Sequence, residues 1–202
     1  MTNSDFKLIV LVSGGGSNLQ AIIDSIKQKR LNAHIELVVS DQENAYALTR
    51  AKNTGIPALF LNPAQYTDRS AFDNTLASKL SELNPDLIIL AGFMRILSET
   101  FVEKFQGKII NIHPSLLPAH KGLDTHQRAI NSGDKVHGAT VHYVTKKLDD
   151  GPIILQASIP ICKSDSADSL QQKVLQQEHI IYPEAIQLIA QGKINFSNPV
   201  IS

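Results

Sequence analysis

The segment KLIVLVSGGGSNLQAIIDSI, residues 7–26, decides the expected fold. It begins with an apolar run rich in β-branched residues, which is typical of a buried strand. Three consecutive glycines follow at 14–16. After them, apolar residues recur at helical spacing, at Leu19, Ile22, Ile23 and Ile26. The segment therefore predicts a strand, a tight glycine turn and an amphipathic helix.

The same alternation of strand and helix continues along the chain. Further strands are predicted at 35–40, 58–61, 87–91 and 109–113, and further helices at 45–52, about 68–83, 125–131 and about 169–190. Residues 136–144 and 153–159 flank Asp150-Gly151, which predicts two antiparallel strands. We expect one α/β domain with a Rossmann-like, mostly parallel twisted sheet, helices on both faces and an antiparallel C-terminal addition.

Composition and charge narrow the classes of function. The chain has 202 residues with 19 basic and 19 acidic side chains, a balance that argues against general binding to nucleic acid or anionic membranes. Cys162 is the only cysteine, which excludes an intramolecular disulfide and a cysteine-based metal site. The longest apolar run, at 87–94, is too short to span a membrane, and the first twelve residues lack a signal-peptide pattern. We expect a cytoplasmic protein.

The glycine turn is a candidate anion site. Glycines allow the backbone to approach a ligand closely, and the N-terminus of the following helix offers N–H groups to a phosphate. Ser17 and Gln20 match a capping box. Neither the dinucleotide pattern, which needs glycine where Leu19 stands, nor the Walker A pattern fits. The alternative is an ordinary corner between strand and helix.

A second candidate site follows the strand at 109–113. The period of a strand places Asn111 and His113 on one face, and Pro114 puts them near the carboxyl end, where α/β folds bind ligands. An amide can donate to a developing oxyanion, and an imidazole can carry a proton. Asp149 and Asp150 supply carboxylates, which favour the imidazolium form of a nearby histidine. The alternatives are structural polar residues and a hairpin turn, because sequence spacing alone cannot bring Asp149 to His113.

Four segments together give the chain a family resemblance that covers nearly its whole length. They are SGGGSNLQ at 13–20, AGFMRIL at 91–97, NIHPSLLP at 111–118 and LDDGP at 148–152, and QEHIIYP at 177–183 extends the match. The chain resembles the phosphoribosylglycinamide formyltransferases. The resemblance implies transfer of a formyl group from 10-formyltetrahydrofolate to the amine of phosphoribosylglycinamide (GAR) in purine biosynthesis, without a metal or ATP.

The same resemblance assigns roles to individual residues. Asn111, His113 and Asp149 are similar to the family's catalytic residues. The GAR contacts it implies are Gly16, Ser17 and Asn18 at the phosphate and Glu178 at the ribose hydroxyls. The folate contacts it implies are Arg69, Met94, Arg95, Ile96, Leu97 and Asn111. It also implies a phosphate-binding half at about 1–105 and a catalytic and folate-binding half at about 106–202, and it allows a weak homodimer.

Some features leave alternatives open. The segment Lys121–Asp124 departs from the family pattern, so the resemblance assigns it no contact with substrate. Glu178 could be an ordinary solvated residue of a helix, and Arg69 an ordinary surface charge. A formyltetrahydrofolate hydrolase and a noncatalytic folate- or nucleotide-binding module are the competing functions. His142 is interpreted as following the strand pattern, and the histidine spacing matches no zinc motif.

Overall fold

The structure, a computed structural model, describes residues 6–199. Within them the strands are β1 (Lys7–Val12), β2 (His34–Ser40), β3 (Ala58–Phe60), β4 (Leu87–Leu90), β5 (Ile109–His113), β6 (Val136–Tyr143) and β7 (Ile153–Pro160). The helices are α1 (Ser17–Lys27), α2 (Tyr46–Asn53), α3 (Arg69–Leu83), α4 (Glu99–Lys104), α5 (Thr125–Asn131) and α6 (Ala167–Ala190), with a short 3-10 helix at Pro63–Gln65.

The hydrogen-bonded order of the strands is β3-β2-β1-β4-β5-β6-β7. β1 pairs in parallel with β2 and β4, and β2 pairs in parallel with β3. β6 and β7 are antiparallel. The predicted mixed sheet, mostly parallel with an antiparallel C-terminal addition, is confirmed. The contacts of the chain divide it into two compact units, one ending at Ile110 and the other beginning at Asn111.

The first unit has a core built on the apolar central strands. All side chains of β4 are buried, as are those of β1 after Lys7. Strands enclosed on both faces read as continuous apolar runs, which is why periodicity identified them. The stripe of α1 predicted from sequence is also found, since Leu19, Ile22 and Ile23 are buried.

The second unit is organised by the β6–β7 hairpin and α6, which packs on both of its strands. The hairpin confirms the antiparallel pair predicted around Asp150-Gly151. Gly151 lies where the two ends of the hairpin meet. A Cβ atom there would lie 1.7 Å from the carbonyl oxygen of Tyr143, so no larger residue fits without moving the backbone.

Two local predictions differ from the structure. The six-residue helix α4 was not predicted, because it is too short to show a helical period. The capping box at Ser17 and Gln20 is wrong. The N-cap of α1 is Gly16 in the left-handed conformation, without a side-chain cap, and the backbone N–H of Gln20 donates to the carbonyl of Gly16. Among the described helices, α6 is the one that begins with a capping box, between Ser166 and Ser169.

Candidate active site

The glycine turn is held tightly by its neighbours in the first unit. The carbonyl of Gly14 accepts from the backbone N–H of Ala47, and that of Gly15 accepts from Arg50 Nε at 2.8 Å. Gly16 has φ of 70°, and a Cβ atom there would lie 2.7 Å from Ala47 Cβ. Two of the turn's carbonyls are thus occupied by α2 and a third by α1, so they do not oppose an anion at the helix N-terminus.

The residues predicted to contact folate in the first unit lie together. Arg69 Nη2 donates to the carbonyl of Leu97 at 2.8 Å, and its Nε lies 3.9 Å from the buried carboxylate of Asp73. Arg95 stacks over Phe72 at 4.4 Å. Arg69 is therefore tied to the segment 94–97 and is more than an isolated surface charge.

The segment 94–97 also presents apolar surface. Met94 and Ile96 are 70% and 61% exposed, while Leu97 is buried. Exposed large apolar side chains next to one another are typical of ligand sites. Arg95 and the turn residues 13–15 line one cavity of about 860 Å³.

In the second unit, the structure places His113 between two acceptors. Its Nδ1 lies 3.4 Å from Asp149 Oδ2, and its Nε2 lies 3.0 Å from the carbonyl oxygen of His120. Because a carbonyl only accepts, Nε2 carries hydrogen in this hydrogen bond. Both ring nitrogens thus face oxygen atoms, an arrangement that suits a doubly protonated, positively charged ring.

Asn111 reaches the same cluster through His142. His142 Nδ1 donates to the carbonyl of Tyr143 at 2.9 Å, which leaves Nε2 as the acceptor for Asn111 Nδ2 at 3.3 Å. His142 Nε2 also lies 3.7 Å from Asp149 Oδ1. Burial lowers the pKa of His142, opposed by the Tyr143 hydrogen bond and the Asp149 charge, and this favours the neutral ring that the tautomer requires.

The two neighbouring carboxylates have different surroundings. Asp149, 9% exposed and in the left-handed conformation, faces both histidines. Asp150 is exposed and forms an ion pair with Lys121. The Lys121 ammonium holds the pKa of the Asp150 carboxyl below its usual range. Geometry thus distinguishes two carboxylates that sequence spacing could not.

Glu178 lies on α6 and is only 7% exposed, so it is not the solvated helix residue of the alternative interpretation.

Among residues 6–199, no group of three or more His, Cys, Asp or Glu is arranged to hold a metal ion. No described helix is long and apolar enough to cross a membrane.

His142 is the residue of the cluster that sequence reasoning did not assign to the site. Its position on a β-branched strand resembles that of any polar strand residue. The two-residue period of a strand was the available signal, because it places Thr140 and His142 on one face of β6. Both side chains on that face bond to β5 or to the turn after it. Thr140 Oγ1 donates to the carbonyl of Ser115 at 2.6 Å, and His142 Nε2 accepts from Asn111. Which residue lies opposite on the neighbouring strand depends on register, and the sequence does not state it.

Comparisons with known proteins agree with the sequence resemblance. The phosphoribosylglycinamide formyltransferase of Escherichia coli K12 is 45% identical over 187 residues, which cover 93% of this chain and 88% of that protein. The trifunctional purine biosynthetic protein adenosine-3 of Bos taurus is 44% identical over 188 residues, 93% of this chain and 19% of that protein.

Solved structures show the same likeness. The crystal structure of glycinamide ribonucleotide transformylase 1 from Symbiobacterium toebii matches with a TM-score of 0.92 and 45% identity, covering 98% of this chain and 91% of that one. The sequence profile described as "Formyl transferase" matches residues 6–186. The resemblance is confirmed, and the chain belongs to the formyl transferase family.

Proposed function

We propose that this protein is a phosphoribosylglycinamide formyltransferase. It transfers the formyl group of 10-formyltetrahydrofolate to the amine of GAR, and the products are N2-formyl-GAR and tetrahydrofolate, as part of purine biosynthesis. The observation that carries the proposal is the cluster of Asn111, His113 and Asp149, in which His113 lies between a carboxylate and a carbonyl oxygen. The family and the named relatives support the same reaction.

The proposed reaction begins when the neutral amine of GAR attacks the formyl carbon. A C–N bond forms, and the formyl oxygen becomes an oxyanion in a tetrahedral intermediate. The Asn111 amide and the positively charged ring of His113 stabilise that oxyanion. Removal of a single preorganised donor of this kind typically costs about 3–4 kcal/mol of transition-state stabilisation.

Collapse of the intermediate breaks the bond between the formyl carbon and N10 of the folate. The proton that leaves the attacking amine goes to the departing N10, so charge balances without a metal. His113 or an ordered water carries this proton. In the route through His113, the charged ring gives a proton to N10 and takes one from the former amine nitrogen, so it ends the step as it began. Asp149 orients the ring and balances its charge before and after this transfer.

In this proposal the substrates are held by the remaining predicted residues. Gly16, Ser17 and Asn18 bind the GAR phosphate at the N-terminus of α1, and Glu178 binds the ribose hydroxyls. The folate lies against the exposed apolar side chains of Met94 and Ile96, with Arg95, Leu97 and Asn111 as further contacts. Arg69 pairs with a carboxylate of its glutamate.

We further propose that both units work as one formyltransferase domain, a proposal supported by a family match that continues through Ile110 and Asn111. A cytoplasmic location and a weak homodimer stay predictions, as does the expectation that the protein binds neither nucleic acid nor membranes.

The test is to measure tetrahydrofolate release from 10-formyltetrahydrofolate with and without GAR, together with His113→Ala. Release that depends on GAR, yields N2-formyl-GAR and disappears in the variant supports the transferase. Release without GAR would identify a hydrolase. Folate binding without release in either case would identify a noncatalytic binding module.

A further inference from the structure

Three consecutive residues, 120–122, contact His113 and the two neighbouring carboxylates, Asp149 and Asp150, and we call these three residues the strap. The carbonyl of His120 accepts from His113 Nε2 at 3.0 Å. Lys121 forms the ion pair with Asp150. The backbone N–H of Gly122 donates to Asp149 Oδ2 at 2.9 Å. Two adjacent residues of the strap therefore hold two adjacent carboxylates.

The strap is itself anchored from the other side. Arg128 Nη1, on α5, donates to the carbonyl of Lys121 at 2.6 Å and to that of Leu123 at 3.2 Å. His120 Nε2 lies 2.6 Å from Asp134 Oδ2. The Arg128 bonds hold the carbonyls of Lys121 and Leu123 to α5, and the His120 side chain pairs with Asp134 after that helix, whereas the contacts with 149–150 come from Lys121 and the N–H of Gly122.

Asp149 Oδ2 has two neighbours that matter for the reaction. It accepts the hydrogen bond from Gly122 and lies 3.4 Å from His113 Nδ1. The Gly122 bond orients the carboxylate and stabilises its negative charge, since hydrogen bonds to an ionised acceptor are strong. Any change that withdraws Gly122 leaves Asp149 free to rotate away from His113.

We propose that Lys121 is a positioning residue for the formyl transfer: its ion pair with Asp150 holds the Gly122 N–H on Asp149, and Asp149 in turn orients His113. This inference rests on the proposed function. The lysine lies in the segment 121–124, whose contacts the family resemblance leaves open, and the ion pair with Asp150 is what the structure gives it.

The ion pair is well suited to positioning and poorly suited to stabilising the fold. The Lys121 and Asp150 side chains are 35% and 40% exposed, and exposed pairs contribute little to global stability. Loss of the pair therefore changes catalysis with little change in unfolding. Being exposed, the pair is also weakened by salt.

The experiment compares wild type with Lys121→Met, Lys121→Arg and Lys147→Met. Lys147 is a second exposed lysine close to Asp150 and serves as the matched control. Lys121→Met is expected to lower kcat about tenfold with KM for GAR unchanged, because the hydrogen bond from the Gly122 N–H to the charged Asp149 carboxylate is lost. Lys121→Arg restores the rate, and Lys147→Met keeps it. Salt lowers the wild-type kcat and leaves that of Lys121→Met unchanged.

Amide exchange of Gly122, followed by NMR, gives a readout independent of activity. Lys121→Met is expected to exchange its Gly122 N–H faster, with the amides of β6 unchanged. Three outcomes each overturn the inference. In the first, Lys121→Met has the same kcat as Lys147→Met, and in the second, Lys121→Arg does not restore the wild-type kcat. In the third, Lys121→Met leaves the exchange rate of the Gly122 N–H unaltered. If the wild-type protein shows no GAR-dependent release of tetrahydrofolate, the proposed function is overturned instead. The amide exchange of Gly122 then still tests whether Lys121 holds the strap.

Discussion

Asn111 donates its side-chain N–H to Nε2 of His142, a ring nitrogen that is free to accept because Nδ1 already donates to the Tyr143 carbonyl. This bond settles which end of the Asn111 amide is the nitrogen. The second hydrogen of that nitrogen is then available for a formyl oxygen. The orientation of the proposed oxyanion donor thus depends on a neutral histidine on the adjoining strand β6.

His142→Phe is expected to lower kcat about tenfold or more, because it leaves the Asn111 amide without its acceptor. KM for GAR should change little, since the ring is 2% exposed and offers no surface to a phosphate or ribose. Steady-state kinetics measure both quantities. His142→Gln, which keeps an acceptor on the side chain, serves as the control, and an equal loss in both variants contradicts the assigned role.

Asp149→Asn is expected to retain GAR binding and to lose most turnover, on the order of a hundredfold or more, because the neutral amide no longer favours a charged His113 ring. Titration calorimetry with GAR and the rate of formyl transfer separate the two effects. Asp150→Asn is the matched control at the adjacent carboxylate and should lose far less. Near-normal turnover in Asp149→Asn would falsify the role of Asp149.

Gly16→Ala is expected to destabilise the protein by about 1–3 kcal/mol, because it forces a side chain into the left-handed region and against Ala47. GAR should also bind more weakly as the turn moves. Urea unfolding measures the stability. Gly14→Ala is the control, since a Cβ there meets nothing within 4 Å. Equal stability in the two variants would show that the turn tolerates the clash.

Arg69→Met is expected to raise KM for 10-formyltetrahydrofolate about tenfold while leaving KM for GAR unchanged, because a charge-assisted contact with a carboxylate is lost. The exposed Arg30→Met is the control for removing a positive charge from the first unit. A rise in both KM values would indicate that Arg69 acts on the structure of segment 94–97 through Leu97.

Acid is expected to destabilise the protein through buried histidines. Burial and the neighbouring rings of His126 and His120 lower the pKa of His137 from the ordinary 6.5 of histidine to about 4. The unfolded chain therefore binds more protons between about pH 6.5 and pH 4, so stability present above this window is lost as pH falls through it. The pKa values of His126 and His142 are shifted in the same direction.

Urea midpoints measured at several pH values between 7.5 and 4.5 check this expectation. His137→Gln, which keeps a hydrogen-bonding group opposite His126, should show a smaller fall in midpoint with decreasing pH. A slope as steep as that of wild type would assign the acid sensitivity to other groups.

Local rules carried most of the fold prediction. Buried parallel strands such as β4 are continuous apolar runs, so length and composition located them to within a residue or two. Helix α4 was not predicted, because six residues are too few to show a helical period of apolar side chains. The start of α1 was misread since Ser17 and Gln20 satisfy a capping pattern, whereas the chain uses Gly16 in a left-handed conformation.

The site was predictable only in part. The period of β5 placed Asn111 and His113 on one face, but distances across 30 or more residues depend on strand register. Neither the approach of Asp149 to His113 nor the contact of His142 with Asn111 can be read from spacing. The contacts of the strap could not be predicted either, because no short-range sequence pattern indicates that Lys121 contacts Asp150.

The absence of room for a Cβ atom at Gly151 has a consequence for saturation mutagenesis of this chain. Variants at 149 and at 151 should both fail to support growth in a strain that needs the enzyme, yet for different reasons. Asp149→Asn, whose side chain tolerates the left-handed conformation, leaves normal amounts of folded protein, whereas replacements at Gly151 push apart the hairpin ends at Tyr143 and reduce its amount. Scoring abundance beside growth would therefore separate a chemical requirement from a spatial one two residues apart.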